Sequence, residues 1–229
     1  MRYSCLLATA LMLAQGVSAA EFGGYAALTT DYVKRGVSQS DGDPALQLGG
    51  EVSFANGIFL GAWGSTTDIY NGRGRQRDRE VNYYFGYAMD VTNSWQVSGH
   101  AVAYKYPGQT GGINYNYLEY SVSGNYDDRF WIEFSYSPDL YHTGLSSTNI
   151  DLFAEWPLNS VWSIGAGAGR YDTSNLTGSA YQYWQLGVTG SFSWADVDFR
   201  VHDTDRTVPI ISTRDRAKTR VVLKIQIPF

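Results

Sequence analysis

Six carboxylates, Glu51, Glu80, Glu119, Glu133, Asp151 and Glu155, and a later group, Asp198, Arg200, Arg220 and Lys224, fall on the polar beat of alternating stretches. Side chains on one beat of an extended strand share a face. Facing walls of opposite sign do electrostatic rather than covalent chemistry. They keep an enclosed space wet, orient dipolar solutes and bias ion choice by their net sign. The excess of carboxylates predicts a weak preference for cations. A second role is open to the same residues, because carboxylates and arginines on neighbouring strands also pair and brace a wall from inside.

Covalent chemistry finds less support. A nucleophile or a water must sit beside an oriented base. The chain has His100, His142 and His202, far apart, and no Gly-x-Ser-x-Gly motif. His142 with Asp139 is the best candidate for a hydrolytic pair. Three distant histidines without thiols give no metal-ligand spacing, and no cofactor is implied. Tyr104, Tyr106, Tyr115, Tyr117, Tyr181 and Tyr183 lie on the inward beat near the ends of three strands. Flat rings there stack on sugars or other planar solutes, or else fill the mouth or join an interfacial aromatic belt. Arg73, Arg75, Arg77 and Arg79 form a loop run that could grip lipopolysaccharide phosphates, or be a solvated loop balanced by Asp78 and Glu80.

The elements that must position these residues are strands. Alternation recurs about twelve times: 22–30, 45–54, 58–65, 81–89, 95–106, 114–126, 130–136, 148–156, 162–171, 180–192, 196–203 and 218–229. Asn56 and Gly57 mark a hairpin, as do Asp127 and Asp128. Every second connection is short; the others, 32–44, 66–79, 107–113, 137–147, 172–179 and 204–217, are long. Short turns on one side and long loops on the other predict an all-β, antiparallel up-and-down transmembrane barrel, with periplasmic turns and extracellular loops. About twelve strands give a narrow pore, since about 8 are filled by side chains and about 16 leave an open channel.

Composition agrees. With 25 Gly, 18 Tyr, 7 Trp and only 6 Pro, strands and tight turns are favoured over helices. The mean hydropathy of −0.27 has a soluble look, but alternating barrel strands average to mild polarity. Arg2, the apolar run from Leu6 to Ala14 and the small residues Ser18, Ala19 and Ala20 predict a signal peptide over residues 1–20, followed by one domain, 21–229. Cys5 falls within the predicted signal, so the mature chain is expected to lack cysteine. Without Arg2 the balance is 16 Lys and Arg against 22 Asp and Glu, or −6, which disfavours nucleic acid as a partner.

The final stretch alternates Val221, Leu223, Ile225, Ile227 and Phe229 with Arg220, Lys224 and Gln226. In a closed barrel such a strand has lipid on one side and lumen on the other. The terminal Phe229 resembles the signal read by the outer-membrane assembly machinery of Gram-negative bacteria.

Asp31, Tyr32, Arg35, Gly36, Ser38, Gln39 and Ser40, then Pro44, Ala45, Gln47, Gly49 and Gly50, and then Gly57, Gly61, Trp63 and Ser65 resemble the N-terminal signature of the TorF-type porins. The motif match covers roughly Asp31 to Ser65, and Arg73 to Arg79 depart from the family's usual acidic pattern. The resemblance implies an outer-membrane channel. Asp31 and Arg35 are expected to pair and fold the first loop inward as a constriction. The function expected is passive diffusion of small hydrophilic solutes or ions, with outer-membrane lipid and lipopolysaccharide as surroundings. A plugged structural barrel or adhesin, and an outer-membrane hydrolase, are the alternatives.

Overall fold

The computed structural model describes residues 20–71, 74–108, 114–205 and 215–229. Residues 1–19 of the predicted signal peptide, and Arg73, lie outside the described residues. After β1 (Glu21–Thr29) comes a small hairpin of two-residue strands, β2 (Val33–Lys34) and β3 (Val37–Ser38). The chain then winds through β4 (Ala45–Ser53), β5 (Ile58–Asn71), β6 (Gly74–Asp90), β7 (Trp95–Lys105), β8 (Tyr117–Tyr126) and β9 (Phe130–Ser137). It continues through β10 (Ser147–Pro157), β11 (Trp162–Asp172), β12 (Ala180–Ser191), β13 (Asp196–Thr204) and β14 (Arg220–Pro228). β1 pairs with both β4 and β14, which closes twelve antiparallel strands into a barrel. Closure leaves no sheet edge, and in hydrocarbon each unpaired backbone group would cost several kcal/mol.

Alternation decides which side chains face out. On β14, Val221, Leu223, Ile225 and Ile227 are exposed on the outer surface, while Val222 between them is buried. Phe85, Leu118, Val122, Ile132, Phe134, Ile150, Leu152 and Leu186 continue the outward apolar band around the wall. At the end that carries both termini the band is rimmed by aromatic pairs: Trp95 with Tyr126, ring centroids 5.0 Å apart, Phe130 with Trp156, 4.9 Å, and Trp162 with Phe192, 5.9 Å. A girdle of this kind suits the boundary between lipid and water.

The short turns follow local chemistry. Asp127 and Asp128 both take left-handed conformations, φ 55° and 51°, and Arg129 N–H donates to Tyr126 C=O at 3.0 Å, a two-residue hairpin turn. At the Asn56–Gly57 hairpin only Gly57 is left-handed, φ 88°, so the turn is a three-residue loop ending in glycine.

Two boundaries differ from the sequence reading. The connection expected over 66–79 is strand for most of its length: β5 runs 14 residues and β6 17, in register from Thr66↔Arg79 to Asn71↔Gly74. A membrane-crossing strand needs about 9–11 residues, so this hairpin projects past the rim, where no apolar beat is required. β8 begins at Tyr117 rather than at 114, leaving Tyr115 in the preceding connection.

Candidate functional site

The first long connection, between β1 and β4, folds into the barrel. Its β2–β3 hairpin turns at Arg35 and Gly36, both left-handed at φ 50° and 76°. A Cβ on Gly36 would lie 2.5 Å from Thr204 Cγ2 and 2.7 Å from Tyr183 Cβ, so the tip is docked too closely for a larger residue. The hairpin touches walls on several sides. Asp68 N–H and Thr67 Oγ1 of β5 donate to Gln39 C=O at 2.8 and 2.6 Å, and Ser38 N–H donates to Arg216 C=O at 2.9 Å.

Arg35 crosses to β8 and gives two hydrogen bonds to Glu119, at 3.0 and 2.8 Å, with its guanidinium 4.5 Å from the Tyr171 ring centre on β11. Lys34 Nζ lies 3.7 Å from the centre of the Tyr104 ring, donates to Tyr117 Oη at 3.1 Å and is 3.7 Å from Glu80. Burial pushes the Lys34 ammonium below its ordinary pKa, and the Glu80 carboxylate pulls it part of the way back. Glu80, fully buried, also accepts from Tyr32 Oη at 3.3 Å, Tyr106 Oη at 3.1 Å and Asn82 at 2.9 Å.

The Asp31–Arg35 pair expected from the sequence does not form. Asp31 stays at the stem of the loop, where it accepts from Ser38 Oγ at 2.6 Å and Ser40 Oγ at 2.9 Å and lies 3.3 Å from Arg220. The left-handed turn carries Arg35 away from it, across the lumen.

Tyrosines fill the outer half around the hairpin. Tyr104, Tyr106, Tyr117, Tyr171, Tyr181 and Tyr183 are buried with Val37 and Leu140 in one cluster. Tyr104 and Tyr117 stack at 4.3 Å, and Tyr141 meets Tyr117 edge-on at 5.2 Å. Tyr115 is half-buried and packs against Tyr106 and Tyr141 at 6.5 and 5.9 Å. The six tyrosines predicted at the mouth therefore gather inside it.

Below this cap lies a cavity of about 400 Å³, roofed by Lys34, Arg35 and Tyr104 and reaching Glu21 and Phe229 at the end that carries the termini. Of the ten charged residues predicted to line a pore, Glu51, Glu119, Glu133, Asp151 and Lys224 border it. Asp198 and Arg200 border a smaller space of about 80 Å³ and pair with each other at 2.8 Å. Glu155 accepts from Ser163 Oγ at 2.6 Å, and Arg220 is taken up by Asp31 and the Asp215 carbonyl. The predicted basic wall is thus largely neutralised, and the acidic excess faces the cavity.

The arginines of the β5–β6 projection find counter-charges other than the expected Asp78 and Glu80. Arg75 pairs with Asp43, with Asp68 at 2.8 Å and with Asp41 at 3.5 Å, and Arg77 pairs with Asp43 at 2.9 Å. These contacts tie the first loop to the projection. His142 Nδ1 and Asp139 are 3.2 Å apart on an exposed turn, and among the described residues no hydroxyl is hydrogen-bonded to that imidazole.

Lys34, Tyr171, Trp131 and Phe153 were not singled out in the sequence, and His100 was named there only as one of three scattered histidines, yet all five border the cap or the cavity. The inward beat of β9, β10 and β11 was enough to place Trp131, Phe153 and Tyr171 there. Lys34 sits on a two-residue strand, too short for a beat.

Solved barrels share this architecture at low identity. A KdgM porin in complex with disordered oligogalacturonate aligns with TM-score 0.56 and 10% identity, over 91% of this chain and 99% of its own. The NanC porin gives 0.55 and 12%, over 91% and 99%. The COG4313 outer membrane channel from Pseudomonas putida F1 gives 0.51 and 10%, over 94% and 96%. These likenesses concern the fold alone. No curated protein sequence matches the chain. A family model does match, over residues 13–227, and the chain belongs to that family, Gcw_chp, described as bacterial protein of unknown function.

Proposed function

We propose that this protein is an outer-membrane channel through which small hydrophilic solutes or ions diffuse, with the first loop as its constriction. The observation that carries this reading is the charged cavity of about 400 Å³ inside a closed barrel, capped by a loop that only side-chain and backbone contacts hold. Nothing covalent fixes the cap, so its position can respond to voltage, solute or protonation. In this reading residues 1–20 are a cleaved signal peptide, the termini face the periplasm and the long loops face outward among lipopolysaccharide. Phe229, exposed on the outer surface, marks β14 for the assembly machinery.

Planar-bilayer recording of the refolded protein tests the proposal. A small conductance with a reversal potential favouring cations in a salt gradient is expected, and clear anion selectivity would refute the assigned lining. A plugged structural barrel is the second reading. The deep burial of Glu119 and of the tyrosine cluster favours it, and electrical silence of both the parent protein and a variant with a loosened cap would select it.

A further inference from the structure

Glu133 on β9 and Asp151 on β10 stand directly opposite one another and border the same cavity. Like charges in that relation repel. Glu119, Glu80, Asp198 and Asp31 are answered by Arg35, Lys34, Arg200 and Arg220 in turn, whereas Glu51, on the same cavity, is like Glu133 and Asp151 in having no Lys or Arg at ion-pair distance among the described residues. Among the described residues no Lys or Arg comes within ion-pair distance of Glu133 or Asp151. Glu133 accepts from Ser135 Oγ at 3.3 Å, and Asp151 accepts from Asn149 and Tyr183.

His100 on β7 stands beside Glu133. Its side chain is only 6% exposed and borders the cavity, with Nε2 3.9 Å from Glu133. Its Nδ1 is buried without a hydrogen-bond partner. Asn82 Oδ1, Asn125 Oδ1 and Ser137 Oγ are likewise buried without a hydrogen-bond partner among the described residues, so His100 Nδ1 is one of several such atoms in the barrel.

The second observation is apolar. Trp131 and Phe153 are opposite one another two residues along the same pair of strands, hence on the same inward face, with ring centroids 5.7 Å apart. A rung of aromatic rings therefore adjoins a rung of carboxylates. Ring faces attract organic cations, and do so more strongly where water is excluded. The cavity volume lies within the range of about 300–1,000 Å³ usual for small-ligand sites. A bare metal ion fits less well, because among the described residues no three His, Asp or Glu side chains converge as ligands.

We propose that the cavity binds a small organic ammonium ion, held between Glu133 and Asp151 against Trp131. This names a solute class for the channel and rests on that reading for transport, though the binding itself does not require conduction.

Titration calorimetry of the detergent-refolded full chain with choline chloride tests it, at matched ionic strength against sodium chloride. The neutral isostere 3,3-dimethylbutan-1-ol is titrated in parallel. Saturable choline binding is expected, weakened at least roughly tenfold by Glu133→Gln with Asp151→Asn and severalfold by Trp131→Leu. Asp90→Asn on the outer surface should leave it unchanged. The paired Gln and Asn substitutions remove a repulsion, so folding is expected to survive, and circular dichroism checks it. No saturable choline binding, equal binding of choline and the alcohol, or choline binding indifferent to the double substitution would overturn the proposal. Choline binding by a protein silent in bilayers would uphold this site and count against the channel. Conductance without choline binding would do the reverse.

Discussion

Arg35 donates to both carboxylate oxygens of Glu119, at 3.0 and 2.8 Å, from the tip of a left-handed turn, and the two residues are separated by 84 positions in sequence. A non-glycine residue in that conformation costs about 1–2 kcal/mol, which the ion pair must offset. The relationship makes the first loop a cross-brace inside the barrel.

Breaking one partner of a buried pair costs about 3–5 kcal/mol, whereas replacing both costs much less. Arg35→Ala is therefore expected to destabilise the barrel more than Arg35→Ala combined with Glu119→Gln, as measured by urea unfolding from lipid vesicles. If the single and double variants lose equal stability, the pair is not what braces the cap.

Gly36→Val should dislodge the hairpin, since its Cβ would collide with Thr204 and Tyr183 in a backbone conformation that valine resists. Gly50→Ala, whose Cβ would meet nothing nearer than 3.8 Å, serves as the tolerated comparison. Tryptic cleavage at Lys34 or Arg35 should rise with the first substitution and stay unchanged with the second. Equal protection of all three proteins would mean that the close packing at Gly36 is not what holds the tip in place.

The Asp43 carboxyl is held below its ordinary pKa by the Arg75 guanidinium hydrogen-bonded to it, with Arg77 adding to the effect. A depressed carboxyl stabilises the folded state above its unfolded pKa, near 3.8, and loses that contribution as the pH falls through the lower, folded value. The tie between the first loop and the β5–β6 projection should therefore hold at neutral pH and loosen only below about pH 4. Hydrogen exchange at residues 39–43, corrected for intrinsic rates, should show this acid loosening, and Asp43→Asn should show it already at pH 7. An Asp43→Asn protein with unchanged exchange at pH 7 would assign the tie elsewhere.

The outward and inward beats of β14 make a paired prediction. Arg at the lipid face near the bilayer midplane costs about 2–4 kcal/mol, and lumen substitutions cost little. Ile225→Arg should destabilise the barrel in vesicles by that amount, and Gln226→Arg, one residue along, by less than about 1 kcal/mol. Equal losses would mean that the two faces share one environment.

The twelve strands were legible because each must repeat one rule, apolar outward and polar or small inward, for the thickness of a bilayer. β14 and β9 follow it residue by residue. The rule lapses where lipid ends, and so the paired stretch Thr66 to Arg79 read as a loop. The inward fold of the first loop was anticipated, but not its partners. Two-residue strands carry no periodicity, and nothing local in Asp31 or Arg35 shows that one meets Arg220 and the other Glu119. The tyrosines were found by parity, but their packing into one cluster depends on loops that come from opposite sides of the barrel. Sequence also overstated the basic wall, because whether Arg200 faces a solute or the neighbouring Asp198 is a matter of rotamer rather than of strand position.

The most direct test of the account is the single-channel conductance of the refolded full chain beside its Arg35→Ala variant, recorded under the same salt gradient. A small, cation-favouring conductance that grows when the guanidinium is removed is the predicted result. Identical conductance in the two proteins, or silence in both, would contradict the claim that a folded-in loop constricts a water-filled lumen.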